Sequence, residues 1–331
     1  MLKDNNTGNS LKPKISVVLT SYNHKDYLSQ SLEAIDNQTF KNYEFIIWDD
    51  NSTDGSQAVL KEFKEKHPEI KLYLNDTNSG RYTISTNNGA SKAKGDYIIF
   101  EQCDDFADPT QLEILYTYAK EHPDVGMVFS ASRMVDETGT VMGSDYSVRS
   151  NVFRRFCAQD TIIPKNMLES FLLESCVLPN LSAVLIRRDV YEEMSGLDEQ
   201  YYVIADWDLY LKISKHYGAF YVRNELNNFR QHGTTIRSSV KMETQIKELL
   251  QMFGNHFCGV NLSDKLQKKA YITVSNVWWS FMKNNPKVWF SSFFKVLKMT
   301  SQFSKRMPMF FLWQLFLHPF RSVSFRLSHI R

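Results

Sequence analysis

The sequence predicts an α/β protein built on a mostly parallel central sheet, and three observations carry that prediction. Strand-like apolar runs recur at Ile15–Thr20, Tyr43–Trp48, Lys71–Leu74 and from Tyr97 to Phe100. Segments with apolar residues at helical spacing separate them. Three of the runs end abruptly in polar clusters, at Thr20-Ser21-Tyr22, Asp49-Asp50 and Asp104-Asp105. Strand and helix alternating in this way indicate a parallel sheet covered by helices. Unbroken apolar runs fit strands buried on both faces.

Each element follows from its own residues. After a polar leader, 1–12, the strand Ile15-Ser16-Val17-Val18-Leu19-Thr20 leads into the turn Ser21-Tyr22-Asn23, and Leu28, Leu32 and Ile35 repeat at helical spacing. The second strand is closed by Asp49-Asp50-Asn51-Ser52-Thr53-Asp54-Gly55, and Val59, Leu60 and Phe63 mark a helix to Lys66. Asn78-Ser79-Gly80 is a turn, Arg81 to Lys94 is compatible with a helix, and Gly95-Asp96 introduces the Tyr97 strand. Further on, Asn180 to Ile186 is another apolar run and Arg187 to Met194 is helix-like. Leu209 and Ile213 then share a helix face with Asp206 in the first turn, and Ile246, Leu249, Leu250 and Phe253 line a helix from Met242 to Phe257.

The polar clusters carry the chemistry. Ligands of parallel sheets bind beyond the carboxyl ends of the strands, so the three clusters can line one pocket. Adjacent carboxylates such as Asp104 and Asp105 repel unless a cation or donors offset the charge. Hard oxygen ligands suit Mg²⁺ or Mn²⁺, ions that also bind substrate phosphates. Plainer readings stand beside this one: Asp50 as a helix cap, Tyr22 as a packing aromatic, and a solvated loop before Pro109. Thr20-Ser21-Tyr22-Asn23 contains no glycine, which argues against a dinucleotide fingerprint.

The 331 residues allow one large domain or two smaller ones. The net charge of +2 conceals an asymmetry: Lys265 to Arg331 holds 12 basic and no acidic residues, leaving 39 − 12 = 27 basic against 37 acidic residues elsewhere. Such a basic tail suits an anionic partner. No apolar run approaches the length of a transmembrane helix, about 18 residues. The leader lacks a signal-peptide core, and Cys103, Cys157, Cys176 and Cys258 show no metal-ligand spacing. A cytoplasmic setting is expected.

Several motifs in order resemble the family 2 glycosyltransferases of GT-A fold. They are Pro13 to Asn23, Asn37 to Gly55, Asn78-Ser79-Gly80, Asn88-Gly89-Ala90, Gly95-Asp96-Tyr97-Ile98 and Asp104-Asp105. The resemblance implies a nucleotide-diphosphate sugar lying across the strand ends. Thr20 and Tyr22 then line the nucleobase pocket, Asp50 accepts from a pyrimidine N–H, Arg81 pairs with phosphate or forms a surface ion pair, and Asp104 lies near the ribose. Asp105 is the expected direct metal ligand, with His232 in Phe229-Arg230-Gln231-His232-Gly233 contacting metal or diphosphate. Asp206 matches the base of inverting members, although a helix start also suits a carboxylate for structural reasons; Asp208 is its competitor. The chain departs from the family pattern at Gln102 and Ala205, where acidic residues are usual.

The expected architecture is a leader (1–12), a GT-A domain (13–238) whose N-terminal half binds nucleotide, and a helical, basic-aromatic extension (239–331). The extension's aromatics, among them Trp278, Trp279, Trp289, Phe293, Phe294, Phe310, Phe311 and Trp313, interleave with Lys and Arg. They form either the core of a packed appendage or an interfacial contact with anionic membrane, the latter favoured; nucleic acid has no support. The expected activity is Mn²⁺- or Mg²⁺-dependent transfer with inversion from a uridine diphosphate sugar to a saccharide or lipid-linked saccharide, in surface polysaccharide assembly, on the inner face of the membrane. A catalytically inactive nucleotide- or partner-binding relative and a sugar nucleotidyltransferase are the alternatives.

Overall fold

The computed structural model describes residues 12–178, 180–233, 240–257 and 264–284, with isolated positions from 293 to 312. Ten strands are described: β1 (Ile15–Ser21), β2 (Tyr43–Asp49), β3 (Lys71–Leu74), β4 (Tyr97–Gln102), β5 (Phe106–Ala107), β6 (Met127–Val135), β7 (Val141–Ser144), β8 (Thr161–Ile163), β9 (Val184–Arg187) and β10 (Ala219–Arg230). The helices are α1 (Lys25–Asp36), α2 (Ser56–Lys66), α3 (Tyr82–Ala90), α4 (Gln111–Glu121), α5 (Asp145–Val148), α6 (Asn151–Phe156), α7 (Lys165–Glu174), α8 (Arg188–Glu193), α9 (Ala205–Ser214), α10 (Met242–Phe257) and α11 (Asp264–Asn284).

The sheet order is β3-β2-β1-β4-β9-β6-β10-β5, with β7 on β6 and β8 on β10. The predicted α/β class holds, and β1 to β4 form the parallel half. Beyond β4 the sheet is mixed, because β9 runs antiparallel between β4 and β6. Alternation along β1 sends Ile15, Val17 and Leu19 to one face, where Leu28, Leu32, Leu60 and Leu112 cover them. Val18 faces the other way, into a second core with Phe100, Phe129, Leu172, Tyr210 and Phe253. The central strands β1, β2 and β4 therefore read as apolar runs because helices bury both of their faces. Gly89 lets α3 lie close on β1: a Cβ there would stand 2.5 Å from Val18 Cγ1.

The helices after residue 239 belong to that second core. Ile246, Leu249 and Phe253 of α10, and Ala270, Val274 and Trp278 of α11, are buried in it. Thr273 Oγ1 also donates to the carbonyl of Leu173 at the end of α7, 2.8 Å away. Trp278, one of the extension's aromatics, is thus core, whereas Phe294 and Met309 are exposed. Trp289, Phe310, Phe311, Trp313 and the leader up to residue 11 lie outside the described residues, as does Cys258. Cys103, Cys157 and Cys176 are free thiols. Among the described residues no helix is long and apolar enough to cross a membrane.

Candidate active site

The register of the parallel half brings the polar clusters to one edge. Ser21 pairs with Asp49, and Thr20 lies between Trp48 and Gln102. Thr20, Tyr22, Asp50 and Asp104 consequently sit at adjacent strand ends, and Tyr22 presents its ring to solvent at 46% exposure. The turn after β1 is stapled to the loop after β2. Asn23, with φ of 53°, donates its N–H to Ser52 Oγ at 2.9 Å, and its side chain accepts from Thr53 N at 2.8 Å. Lys25 N donates to Asp54 at 2.9 Å. Left-handed backbone is tolerated by Asn better than by most residues.

Asp50 is buried and organises its own wall. Its carboxylate accepts from Asn75 Nδ2 at 2.7 Å, Ser79 Oγ at 2.6 Å and Ser79 N at 3.0 Å. It is not a helix cap: Asp54 accepts from Ser56 N and Oγ at the start of α2. Arg81, two residues beyond Ser79, donates to the carbonyl of Gln200 at 3.3 Å and lies 5.8 Å from the Tyr202 ring centroid. It joins the Asp50 wall to the segment leading into α9.

Asp104 and Asp105 have opposite fates. Asp105, expected to be the direct metal ligand, is 1% exposed. It accepts from Arg230 N at 3.0 Å, Ser182 Oγ at 2.9 Å and Asn180 Nδ2. Burial and the neighbouring Asp104 charge push its carboxyl well above the usual carboxylate range, and these three donors oppose that rise. Asp104 instead meets His232 Nε2 at 2.9 Å. The chain turns at Cys103-Asp104 after β4, with Asp105 N donating to the Gln102 carbonyl at 3.0 Å, and this turn leaves Asp104 partly exposed against His232 while Asp105 is enclosed. Burial alone would raise Asp104; the His232 hydrogen bond and the nearby His24 hold it below its ordinary range.

His24, not singled out by the sequence, completes the cluster. Potential ligand atoms of His24, Asp104 and His232 all lie within 4.8 Å of one another. Two imidazoles and a carboxylate are donors for which a divalent transition ion is suited, so these residues fit the metal that the sequence resemblance implies. Behind them, Arg230 is 2% exposed and sandwiched between Tyr27 and Phe106, at 4.7 and 5.3 Å from the ring centroids. Its Nε donates to the Asp104 carbonyl at 2.8 Å and its Nη1 to that of Glu137 at 2.8 Å. Arg230 therefore fixes the backbone that carries Asp104 and leaves the carboxylate itself facing His232.

Asp206 is the second residue of α9 and half-buried; its Oδ1 accepts from Trp207 N at 2.7 Å. Asp208, its competitor, is 4% exposed and paired with Lys212 Nζ at 2.7 Å. Burial raises the Asp208 carboxyl, against the pull of Lys212. Ala205 is fully buried, so a Glu at this position would place an uncompensated charge in the core. The segment before α9 is held from α10: Glu248 accepts from Tyr202 N at 2.8 Å and Val203 N at 3.0 Å. Glu248 was discernible in the sequence as a charge beside the apolar stripe of Ile246, Leu249 and Leu250. Arg230 had no comparable signal, since its side-chain partners come from three separate segments: Tyr27 and Gln30, Asp104 to Phe106, and Asp136 with Glu137.

The sequence model described as glycosyl transferase family 2 matches residues 16–194, more than half of the chain, and the chain belongs to that family. An uncharacterized glycosyltransferase of Methanocaldococcus jannaschii is 32% identical over 170 residues, 49% of this chain and 58% of that protein. The chondroitin synthase of Escherichia coli is 25% identical over 260 residues, 78% of this chain and 34% of the synthase. The chain thus spans little more than half, or less, of these relatives' length. Among solved structures, S. aureus TarS 1-349 in complex with UDP-GlcNAc superposes with a TM-score of 0.67 at 17% identity, over 88% of this chain and 80% of that one. That likeness establishes the GT-A type of fold.

Proposed function

We propose that the chain transfers a sugar from a nucleotide-diphosphate sugar, a uridine diphosphate sugar first, to a saccharide or lipid-linked saccharide, inverting the anomeric centre. The observation that carries this reading is the Asp104–His232 pair, 2.9 Å apart at the strand-end edge beside Tyr22 and Asp50. Tyr22 would stack on the base, with Thr20 and the Asp50 wall beneath it. Arg81 would contact phosphate on the side facing α9. Mn²⁺ or Mg²⁺ held by Asp104 and His232 would neutralise charge growing on the departing diphosphate.

Asp206 serves as the base. The acceptor O–H loses its proton to the Asp206 carboxylate as the acceptor oxygen bonds to the anomeric carbon. The bond from that carbon to the diphosphate oxygen breaks on the opposite face, and the nucleoside diphosphate leaves. Asp206, partly exposed at the start of α9, suits this role better than Asp208, which is 4% exposed against Lys212. Asp206→Asn should retain UDP binding and lose transfer by about a hundredfold or more, the scale of general base catalysis. The family relation to a chondroitin synthase supports surface polysaccharide assembly as the setting, and the basic tail with exposed Phe294 and Met309 supports a peripheral position on the inner face of the membrane.

The first test is thermal-shift binding of UDP, GDP, dTDP and CMP, each with Mn²⁺ and with chelator. Binding to the native state alone raises its melting temperature by mass action. A rise for one diphosphate that chelator removes supports the reading and selects the nucleotide class. No rise for any nucleotide, with intact folding, overturns it in favour of an inactive, partner-binding relative.

A further inference from the structure

We propose that His24 is a third protein ligand, so that the chain holds a transition-metal ion through two histidines and one carboxylate before any nucleotide arrives. The proposal rests on the metal reading above and extends it to metal choice and to the order of binding.

Three observations carry it. The candidate ligand atoms of His24, Asp104 and His232 fall within 4.8 Å of one another, and Asp104 and His232 already stand 2.9 Å apart. Two atoms each about 2.1 Å from one ion lie about 3 Å apart at a right angle, so a small adjustment of His24 gathers all three. Second, His24 occupies the cap position of α1, yet its side chain makes no capping hydrogen bond. The cap is made by its backbone carbonyl, which accepts from Tyr27 N at 3.1 Å and Leu28 N at 3.2 Å. The imidazole therefore has no local backbone duty. Third, the backbone on both sides is anchored to the loop after β2, through Asn23 to Ser52 and Lys25 to Asp54. Tyr27 packs against both imidazoles, with centroids 6.2 Å from His24 and 5.1 Å from His232. The rings of His24 and His232 are 5.5 Å apart at 77°.

The chemistry of this donor set differs from that of paired carboxylates. Mg²⁺ prefers oxygen and usually binds through one or two carboxylates and the substrate's phosphates. Imidazole nitrogen favours later divalent ions, so two histidines shift selection from Mg²⁺ towards Mn²⁺ and its heavier neighbours. Three preplaced ligands also make the protein's own affinity independent of a diphosphate.

The test is a Mn²⁺ titration of the full chain without nucleotide, following loss of the free ion's electron paramagnetic resonance signal. Wild type should bind one Mn²⁺, and His24→Ala should weaken that binding about tenfold or more, at least the loss seen when a ligand's supporting partner is removed. Pulsed resonance on wild type, which requires no variant, should show two directly coupled imidazole nitrogens. A single coupled imidazole, a His24→Ala protein that binds as tightly as wild type, or binding that appears only with UDP would each overturn the proposal. In those cases loss of binding in Asp104→Asn and His232→Ala would leave the underlying metal reading standing. No Mn²⁺ binding by wild type with or without UDP would sink both.

Discussion

Asp104 and Asp105 are adjacent in sequence, but one stays partly exposed against His232 and the other is enclosed by Asn180, Ser182 and Arg230. Their substitutions should therefore separate stability from function. Asp105→Ala leaves three donors without an acceptor in a buried place, and should cost about 2–5 kcal/mol of stability, read by denaturant unfolding. Asp104→Asn should unfold within about 1 kcal/mol of wild type, as for a group whose protein hydrogen bond is easily replaced, but should lose Mn²⁺-dependent nucleotide binding. Equal destabilisation by both changes would contradict the assignment of Asp104 to the metal site. The same contrast of exposure distinguishes Asp206, partly exposed, from Asp208, two positions on along α9 and buried against Lys212.

At the scale of elements, the candidate site is held in place by more distant pieces. Helix α10 reaches back through Glu248 to hold Tyr202 and Val203, and with them the entry to α9. Glu248→Ala should loosen that entry and displace Asp206. We expect kcat to fall about tenfold to a hundredfold, the effect of a misplaced catalytic group, while UDP affinity stays unchanged. A proportionate loss of UDP affinity would show that the segment serves the donor instead. The α3–β1 contact makes a second prediction. Gly89→Ala drives a methyl group towards Val18 Cγ1, 2.5 Å away, and overpacking of this kind costs about 1–3 kcal/mol. A variant as stable as wild type in thermal melts would mean that α3 can move off the strand without penalty.

At the scale of the whole molecule, the catalytic sheet and the helices after residue 239 share one apolar core. Trp278 is fully buried in it, alongside Val274 and Ala270. Trp278→Ala should destabilise the entire chain by about 3–5 kcal/mol, in one cooperative transition monitored by circular dichroism. A separate low-temperature transition, with the nucleotide site intact, would instead mark the extension as an independent unit. Any membrane contact of the extension must then use residues other than Trp278, such as the exposed Phe294 and Met309.

The strands, the helices between them and the polar strand ends were legible in the sequence because their signals are local. A buried strand is an apolar run, an amphipathic helix repeats every three to four residues, and a carboxylate at a strand end interrupts the run. The motif order through Asp104-Asp105 and the acidic start of α9 were legible for the same reason. What only the tertiary structure decided is which side chains share a space. The inward turn of Asp105, the approach of His24 to His232 and the grip of Arg230 on the Asp104 carbonyl join positions as much as 208 residues apart, 232 − 24. Neither residue spacing nor composition encodes those distances. They follow from parallel register, which aligns the strand ends, and from close packing, which gives each buried polar group a definite partner.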